Sequence, residues 1–556
     1  MAKNLKASSI GRREFIRKGA AAGVAATAVA GLSAHAATPA AQDQVRWDRT
    51  ADVVIVGAGG AGLPAAITAR DQGASVIVLD ENYDIGGHAM LSGGIIPLGG
   101  GTSLQKKYAI EDSADQVYLD HTSHRVPQGK YGDRELIRVF ADENLATVEF
   151  LVENGVRFND RPPTLEDDGS IPRRVVTVVF SDDLKETING RAGSGLVRPL
   201  ERSARAKGAE FLLRHKMTRI IREDPSSGRV LGITATFEGG DVSIRAGKGV
   251  ILATGGHSSN VSFRRMFDPR LTEEYQTAGE PWTRQTADGE LQAMAIGAAL
   301  WATSNQACDN GRAVTKTRHI GCRWGYVNLK WRPESPMFHL ARASGLTVSD
   351  YQNVILVNQV GSRFWNEEED TVAFINACLG TNGNLGRNEK KVNGGGPIWA
   401  IFDADAVARE KWNPTPPHVD PEGWFFRADT VAELAGKIVN PHQILPMPAR
   451  ALEETVAKYN SYVDLGRDPD FGKPAPRFKI RTPPFYAAWS TPVVHDSQTG
   501  LRVNPRCQVI DVHGQVIPGL YAAGEVAGGF ALHGLPRVLV FGRIACREAA
   551  LADPGV

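Results

Sequence analysis

The stretch from Asp52 to Glu81 constrains the fold of this chain more than any other part of its sequence. It begins with Val53–Val56, a short apolar run rich in β-branched residues, which is typical of a buried parallel strand. An Ala-rich helical pattern follows, and then a second apolar strand, Ala74–Leu79, which ends at two acidic residues. Between the first strand and the helix lies the turn Gly57-Ala58-Gly59-Gly60-Ala61-Gly62, which has the G-x-G-x-x-G spacing. This order of elements predicts a dinucleotide-binding unit.

Each part of the unit suits one part of a dinucleotide. The glycines let the backbone approach a pyrophosphate, and the start of the helix offers free N–H groups and the positive end of the helix dipole. The carboxylate of Asp80 or Glu81, about 20 residues past the glycines, can accept hydrogen bonds from a ribose hydroxyl. A tight turn without a ligand is the alternative interpretation, and the complete pattern favours a nucleotide site.

The composition limits the classes of partner. The 556 residues include 63 Lys and Arg against 62 Asp and Glu, without a basic stripe, so we do not expect a nucleic acid partner. Beyond the N-terminal region, no apolar run reaches the roughly 18–20 residues that cross a bilayer, so we do not expect an integral membrane protein. The five cysteines lie far apart without a CxxC or CxxCH pattern, which predicts neither a metal centre nor covalent haem.

Residues 1–36 have the pattern of a twin-arginine export signal. Arg12-Arg13 precedes an uncharged stretch from Gly19 to Leu32, and Ala34-His35-Ala36 supplies an A-x-A cleavage site. The twin-arginine translocase carries proteins that are already folded, which suits a protein that folds around a bulky cofactor. We therefore expect export to the bacterial periplasm.

The texture of the sequence divides the mature chain into three parts. Residues 48–265 carry the dinucleotide unit, the glycine-rich segment Gly86–Gly94 and a strand that runs into a glycine turn at Gly255. Residues 266–479, with many tryptophans and prolines, are predicted to form a cap domain. Residues 480–556 resemble the first part in pattern and are predicted to complete the FAD-binding domain. The patterns predict helices over 134–156, 199–207, 429–440, 448–465 and 537–551, and strands over 210–214, 230–237 and 354–358. A cap inserted into a nucleotide-binding domain places the active site between the two.

Several spaced motifs resemble one known group of proteins. VVIVGAGGAGLPAAITA, GGHAMLSGG, GVILATGG, ILVNQVGSRFWNE, IPGLYAAGEVAGG and VFGRIA occur in the order found in the fumarate reductase and 3-ketosteroid dehydrogenase superfamily of FAD flavoproteins. The resemblance implies an α/β fold, in which a Rossmann-like FAD-binding domain is interrupted by an α+β cap. It also implies that Asp80 holds the adenosine ribose and that Glu525 holds the ribityl chain. The other residues it assigns to the FAD site are Gly87, His88, Ala89, Ser92, Gly93, Gly94, Gly255 and Gly524.

Two further features of the FAD site follow from the resemblance. The closing helix would point its N-terminus at the pyrimidine edge of the flavin and stabilise the anionic reduced form. His88 stands where membrane-bound relatives link FAD covalently through histidine, whereas soluble relatives bind FAD without that bond. We expect His88 to hydrogen-bond a non-covalent FAD.

The resemblance also implies the type of chemistry. The superfamily moves a hydride between flavin N5 and one carbon of a C–C bond next to a carbonyl or carboxylate, while an Arg or Tyr moves a proton. The proton-carrying Arg of dicarboxylate reductases falls here on Thr371, and Asp496 replaces a His that grips a substrate carboxylate. Fumarate is therefore disfavoured as a substrate. Tyr486, in Pro483-Pro484-Phe485-Tyr486-Ala487, matches the segment that carries the catalytic Tyr of the ketosteroid branch.

Other residues remain candidates for catalysis, namely Arg363, His495, His533 and Arg537. Each of them, like Tyr486, has a packing or salt-bridge role as its alternative. We predict an exported FAD oxidoreductase that dehydrogenates or reduces a C–C bond beside a carbonyl of a small-molecule substrate, a cyclic ketone of ketosteroid type or an aromatic-derived compound. One alternative is a periplasmic organic-acid reductase of fumarate or enoate type, served by a separate cytochrome c or quinone-linked partner. Another is a non-catalytic flavin electron carrier.

Overall fold

The computed structural model describes residues 45–123, 132–165, 172–302, 314–315, 317–325, 329–369, 377–379, 393, 395–530, 532 and 534–553. The predicted export signal lies outside these ranges and stays a prediction, as does the assignment of Thr371. Within these ranges, no helix is both long and apolar enough to cross a bilayer.

Strands occur along the whole described chain and are numbered in chain order. They are β1 Arg49–Val56, β2 Val76–Asp80, β3 Ile95–Pro97, β4 Val175–Thr177, β5 Glu210–Leu213, β6 Lys216–Arg222, β7 Val230–Phe237, β8 Gly240–Leu252, β9 Gln276–Thr277, β10 Leu300–Ala302, β11 Val314–Thr315, β12 His319–Ile320, β13 Leu346–Thr347, β14 Ile355–Val357, β15 Trp399–Asp403, β16 Phe425–Ala428, β17 Phe485–Trp489, β18 Val493–Val494, β19 Thr499–Leu501, β20 Gln508–Ile510 and β21 Val516–Ala522.

The helices are numbered in the same way. They are α1 Gly62–Asp71, α2 Gly87–Met90, α3 Ser103–Lys107, α4 Ala114–Thr122, α5 Arg134–Glu153, α6 Ser194–Ala206, α7 Val261–Phe267, α8 Asp288–Met294, α9 Phe338–Ala341, α10 Ala404–Glu410, α11 Val431–Lys437, α12 Ala449–Leu465 and α13 Leu535–Leu551. A 3₁₀ turn covers Tyr351–Asn353. The predicted helices over 134–156, 448–465 and 537–551 correspond to α5, α12 and α13. The helix predicted over 199–207 begins earlier, at Ser194, and carries Pro199 inside it.

The largest sheet in the described part of the chain is built around β1 and has eight strands. β1 pairs in parallel with β2 and β8, β2 with β5, and β21 with β8. β20 pairs antiparallel with β21, and β7 and β6 form an antiparallel ribbon beside β8. Val53, Val54 and Ile55 of β1 are fully buried, as expected for the centre of a parallel sheet covered on both faces. This arrangement confirms the predicted Rossmann-like fold.

The register of this sheet brings four strand ends to one edge. Val56 at the end of β1 pairs with Leu79 on one side and with Leu252 on the other, and Leu252 pairs with Ala522. The residues that follow these four strands therefore emerge together at the carboxyl edge, where open α/β sheets bind ligands. α13 packs against α1 beside this edge, and α1 also contacts α6.

A second sheet forms the centre of the cap. Its strands run antiparallel in the order β14-β15-β17-β16. Successive side chains of a strand point to opposite faces, and both faces of this sheet are buried. On one face Tyr486 stacks on Phe402 with ring centroids 5.3 Å apart, and on the other Trp489 meets Trp399 edge to face at 5.4 Å. Burial of such rings supplies much of the stability of the cap.

The cap sheet extends past the predicted boundary between residues 479 and 480. β17 was assigned from sequence to the second part of the FAD-binding domain, but it pairs with β15 and β16. The boundary was predicted from the change in local composition near residue 480. Membership of β17 in the cap sheet depends instead on its pairing partners, which lie more than 50 residues away in β16 and more than 80 in β15.

Arg363, predicted as a candidate catalytic residue, lies in a buried ion network of the cap. Its Nε and Nη2 donate to Glu367 at 2.8 Å each, and Nη2 also donates to Asp468 at 3.0 Å. Lys473 Nζ lies 3.2 Å from Glu367 Oε2. Burial alone would raise the pKa of Glu367, but Arg363 and Lys473 overcome this and lower it to about 2. Two carboxylates thus occupy the Arg363 guanidinium, which gives this residue a structural role.

We expect Arg363→Met to destabilise the cap strongly. The substitution leaves Glu367 and Asp468 buried beside an apolar side chain, and removing one partner of a buried ion pair costs about 3–5 kcal/mol. The free energy of unfolding, measured by urea titration at pH 7, should fall by that amount. Arg450→Met is the matched control, because Arg450 pairs with Glu454 on the exposed surface of α12 and its loss should leave the urea midpoint unchanged. Equal midpoints for the two variants would contradict the structural role of Arg363.

Candidate functional site

Three glycines of the turn after β1, Gly57, Gly59 and Gly62, have different surroundings. Gly57 has φ of +105°, and a Cβ there would lie 2.2 Å from the carbonyl oxygen of Ala253 in the neighbouring strand connection. A Cβ at Gly62 would lie 1.8 Å from the carbonyl oxygen of Gly57, so α1 packs directly on the turn. A Cβ at Gly59 would meet nothing closer than 3.8 Å, from Gly86 O. Gly57 and Gly62 therefore close the turn, while Gly59 leaves space for a ligand at the start of α1.

Gly60 and Ala61 of the turn pack closely against α13. A Cβ at Gly60 would lie 2.8 Å from Val538 of α13, and one at Gly542 of α13 would lie 2.3 Å from Ala61 O. α1 begins without a side-chain cap at Ala61, so its first N–H groups have no side-chain acceptor. This end of the helix fits the pyrophosphate of a dinucleotide, since it offers N–H groups, positive dipole and open space together.

Asp80 and Glu81 have different surroundings. Asp80 accepts hydrogen bonds from the backbone N–H groups of Ala58 and Asn82, at 2.8 and 2.9 Å. Burial raises its pKa from 3.8 to about 6. Glu81 instead forms a surface ion pair with Lys216 at 2.9 Å. Asp80 is thus the carboxylate held against the glycine turn, at the position that suits a ribose.

The segment Gly86–Gly94 forms α2 and then a loop held by a second glycine-rich segment. Gly87 O accepts a hydrogen bond from Trp282 Nε1 at 3.1 Å. Ser92 O accepts from the N–H of Gly193 at 3.1 Å, and a Cβ at Gly193 would lie 1.9 Å from Ala89 O. Beyond Gly93, a Cβ at Gly94 would clash with Val178 at 2.7 Å. The sequence predictions missed Gly193, whose signal is the run Arg191-Ala192-Gly193-Ser194-Gly195.

Four distant segments meet beside α2 in a hydrogen-bonded cluster. Gln285 Nε2 donates to Glu525 Oε2 at 2.8 Å and lies 3.4 Å from His88 Nδ1. Glu525 Oε2 also accepts from the backbone N–H of Ser497 at 3.2 Å, and His88 Nδ1 lies 3.9 Å from Glu525 Oε1. The structure thus brings His88 and Glu525 together, as the sequence predicted for one site. Gln285 and Ser497 were not predicted from the sequence.

Two predicted glycines lie around this cluster. Gly255 has φ of +76°, and a Cβ there would contact the Gln285 side chain at 3.5 Å. Gly524 has φ of +89°, and its Cβ would lie 3.3 Å from Ala61 and 3.5 Å from Val538. Gly524 therefore connects the cluster with the glycine turn. Whether FAD is attached covalently to His88 stays a prediction.

Behind the cluster lies a fully buried His–Glu pair that the sequence did not predict as functional. His257 Nδ1 is 3.2 Å from Glu290 Oε1, and neither side chain is exposed. The His257 ring is flanked by Phe263 and Phe267, at 5.0 and 5.6 Å between centroids. Burial raises the pKa of Glu290. The pair is joined to the site because the backbone N–H of His257 donates to Ser497 Oγ at 2.8 Å.

The predicted catalytic residues do not all come together. His495 lies edge-on to His88, with ring centroids 6.0 Å apart. Arg537 is buried near the start of α13 and donates to Phe530 O at 3.0 Å and Ser497 O at 3.1 Å. Tyr486 lies in the cap core, where burial raises its pKa, and Arg363 lies in the ion network described above. His533 lies outside the described residues.

Comparison with known proteins identifies the nucleotide. A family model described as FAD binding domain matches residues 52–535. The acrylate reductase flavoprotein subunit of Shewanella woodyi is 28% identical, over 95% of this chain and 94% of that protein. The NADH:acrylate oxidoreductase of Vibrio harveyi is 26% identical over 94% of this chain, which spans only 53% of the length of that relative.

Two solved structures extend the comparison. An open conformation of a flavocytochrome c3 fumarate reductase is 25% identical, with a TM-score of 0.62 over 99% of this chain and 83% of that one. A 3-ketosteroid-Δ4-(5α)-dehydrogenase from Rhodococcus jostii RHA1, solved with 4-androstene-3,17-dione, is 26% identical, with a TM-score of 0.56 over 92% and 99%. These similarities identify the cofactor as FAD, while the assignment of the glycine turn, Asp80 and the cluster around Glu525 to its site stays a prediction.

We expect Gly59→Val to abolish FAD binding in a folded protein. A Cβ at Gly59 would be in ordinary van der Waals contact with Gly86 O at 3.8 Å, so we expect the new side chain to enter the volume left for the pyrophosphate without preventing folding. Thermal unfolding and far-ultraviolet circular dichroism should match those of cofactor-free wild type, while the visible flavin absorption disappears. Gly62→Val serves as the contrast, since its Cβ meets Gly57 O at 1.8 Å and should prevent folding. A yellow, FAD-loaded Gly59→Val protein would overturn this assignment.

FAD affinity should depend on pH through Asp80. As the pH falls through about 6, the Asp80 carboxylate takes up a proton and becomes a weaker acceptor for ribose hydroxyls, so the Kd for FAD should rise. In Asp80→Asn the step should vanish and the Kd at pH 8 should be about 10-fold to 150-fold higher, the loss of a hydrogen bond to a charged group.

The stability of the cofactor-free protein should depend on pH in the opposite direction, because it decreases as the pH rises whereas FAD affinity increases. Asp80 binds a proton more tightly folded than unfolded, so its contribution to stability is present below about pH 4 and is lost as the pH rises through about 6. Flavin fluorescence titration and thermal unfolding across pH 4–8 measure the two effects. A Kd for FAD that is constant over this range would contradict the role of Asp80.

Proposed function

Because the chain belongs to the FAD binding domain family and is an FAD-dependent oxidoreductase, we propose that it reduces the C=C bond of an α,β-unsaturated carbonyl compound. The observation that carries this proposal is the similarity to the acrylate reductase flavoprotein subunit over almost the full length of both chains. Acrylate is an unsaturated monocarboxylate, in which the carboxylate activates the double bond. When bound, FAD would supply two electrons to such a bond as a hydride.

The surroundings of the two candidate arginines, Arg363 and Arg537, and of Asp496 support a substrate with at most one carboxylate. A dicarboxylate needs cations at both ends, but Arg363 is neutralised by Glu367 and Asp468. Arg537 is held by two backbone carbonyls, and the buried residue Asp496 directly follows His495 in the sequence. A second substrate carboxylate near that acid would cost on the order of 1–4 kcal/mol.

Dehydrogenation of a cyclic ketone is the second candidate function. The ketosteroid dehydrogenase structure supports it, because that chain is covered almost completely and with a similar fold. A phenol acid at Tyr486 is not supported, since the ring stacks on Phe402 and packs at a tilt against Phe425 inside the cap. This candidate therefore needs another proton carrier near the flavin, such as His495.

Electrons reach the flavin from a separate donor in this proposal. The sequence has no CxxCH pattern that would bind haem covalently. The NADH:acrylate oxidoreductase extends well beyond the part that this chain matches. We propose a separate redox partner protein of the cytochrome c class as this donor.

Reoxidation of the photoreduced holoenzyme tests the proposed reaction. We expect acrylate or a larger unsaturated monocarboxylate to reoxidise the flavin at least about 5-fold faster than fumarate at equal concentration, because of the electrostatic cost given above. Anaerobic stopped-flow absorbance measures the rates, and free reduced FAD is the control. Fastest reoxidation by fumarate would contradict the limit of one carboxylate. Reduction of the oxidised enzyme by a 3-ketosteroid, without reoxidation by any enoate, would favour the second candidate.

Tyr486→Phe tests whether the phenol takes part. We expect the rate of reoxidation to change less than about twofold, because the hydroxyl lies in the cap core, whereas removal of a general acid costs roughly 10²–10⁴ in rate. The same stopped-flow assay gives the answer. A loss within that larger range, in a variant with unchanged thermal stability, would restore Tyr486 as the acid.

A further inference from the structure

The buried pair of His257 and Glu290 has not yet been given a role. Neither side chain is exposed, and their contact joins His257 Nδ1 to Glu290 Oε1 at 3.2 Å. Within the described part of the chain, the other two polar atoms of the pair, His257 Nε2 and Glu290 Oε2, are buried without a hydrogen-bond partner. Buried polar atoms are nearly always paired in folded proteins, so two unpaired atoms in one pair favour a role beyond packing.

Hydrogen bonds and close packing join this pair to Glu525. The backbone N–H of His257 donates to Ser497 Oγ at 2.8 Å, and the backbone N–H of Ser497 donates to Glu525 Oε2 at 3.2 Å. A Cβ at Gly256 would lie 2.3 Å from Ser497 Oγ and 3.1 Å from Glu525 Oε2. The backbone that precedes His257 therefore lies directly against the Glu525 carboxylate.

Helix α8 brings Glu290 to the same place from the other side. A Cβ at Gly289, the residue before Glu290, would lie 2.3 Å from Thr254 Oγ1 and 2.8 Å from Val526 Cγ2. Thr254 belongs to the connection that follows β8, and Val526 follows Glu525 in the sequence. The position of Glu290 is therefore fixed by contacts of its neighbour with both segments, and it does not depend on His257 alone.

Glu525 also acts on Glu290 through its charge. Burial raises the pKa of Glu290, the contact with His257 lowers it, and repulsion from Glu525 raises it. The elements packed around the pair carry six other charged or titratable side chains, namely Arg264, Asp268, Asp288, His495, Asp496 and Arg537.

Most of these six groups have partners of their own. Arg264 donates to Ser258 O at 2.6 Å, and Arg537 donates to Ser497 O at 3.1 Å. Asp268 is paired with Arg270 and Asp288 with Lys216, at 2.8 Å each. Asp496 is buried beside Ser497, and His495 lies edge-on to His88. Glu525 is thus an acidic charge that acts on Glu290 from the side of the predicted FAD site.

We propose that the Glu290 carboxylate binds one proton from solvent when the bound FAD is reduced. FAD takes up two electrons from the redox partner, and the resulting gain of negative charge beside Glu525 increases the affinity of a neighbouring carboxylate for a proton. A new O–H bond at Oε2 breaks no hydrogen bond, because Oε1 makes the contact with His257. Glu290 thereby offsets part of the charge that arrives with the electrons.

This inference goes beyond the proposed reaction, because it concerns the reduction of FAD without any substrate. It rests on the predicted position of FAD beside Glu525. Glu290 is a positioning residue for charge in this scheme and does not touch the reacting atoms.

The test compares the midpoint potentials of FAD-loaded wild type and Glu290→Gln in spectroelectrochemical titrations from about pH 5 to pH 9. At low pH, where Glu290 is protonated in both oxidation states, the two potentials should lie close together. As the pH rises, the wild-type potential should fall more steeply, by about 30 mV per pH unit at most. This is the effect of one extra proton per two electrons, a tenfold change in the equilibrium constant per pH unit.

Glu433→Gln is the matched control, because it removes an exposed carboxylate of the cap that pairs with Lys437. It should follow the wild-type potential at every pH, and Asp80 titrates equally in all three proteins. Parallel pH dependences of wild type and Glu290→Gln would overturn the proposal.

His257→Phe gives a second prediction with a defined direction. The new ring fits beside Phe263 and Phe267, and the substitution removes the group that lowers the pKa of Glu290. The steep part of the pH dependence should therefore move to higher pH. A shift to lower pH, or none, would contradict the proposed proton uptake by Glu290.

Infrared spectroscopy tests the wild type without relying on the folding of a variant. The reduced-minus-oxidised difference spectrum should contain a new C=O stretching band of a protonated carboxyl group, which shifts in D₂O and is missing in Glu290→Gln. Absence of the band in wild type across the same pH range would overturn the proposal. These measurements contain no enoate, so their failure leaves the proposed C=C reduction standing, and failure of every enoate leaves them unaffected.

Discussion

The contact between Gly57, Gly62 and Ala253 is the constraint on which the rest of the site depends. It lets the end of β1, the start of α1 and the connection after β8 approach at distances that no side chain would allow. The register of β2, β8 and β21 around β1 then delivers Asp80, Ala253 and Ala523 to the same edge of the sheet. A site made from strand ends that are fixed in this way is rigid before any ligand arrives.

Rigid strand ends place a polar cluster that no single segment could form. The cluster combines residues from four parts of the chain, namely His88, Gln285, Ser497 and Glu525. Ser497 also connects this cluster with His257 and Arg537. Its backbone N–H donates to Glu525, its hydroxyl accepts from His257, and its carbonyl accepts from Arg537. A buried polar network of this kind specifies one arrangement of loops, because each unpaired group would cost free energy.

Local patterns in the sequence were sufficient for the nucleotide-binding unit and for the long helices. The stretch from Asp52 to Glu81 is read from spacing alone, and α5 and α12 follow from apolar residues at helical intervals. Residues such as Gln285 and Gly193 could not be found in this way, because their roles come from partners more than 100 residues distant in sequence. The same limit explains the cap boundary, since β17 is defined by its pairing with β15. Arg363 was wrongly singled out from a sequence motif, because in the structure its guanidinium belongs to a buried ion network of the cap.

The packing of α13 on the glycine turn has a consequence for the order of assembly in the cell. Val538 and Gly542 form one wall of the turn that Gly60 and Ala61 begin, although almost 480 residues separate the two in the chain. A ribosome finishes the first half of this site long before the second half exists. During that interval α13 does not yet cover the β1–α1 unit, so the side of the glycine turn that later contacts α13 is exposed. The complete turn with its wall therefore exists only after residues 535–551 have been synthesised.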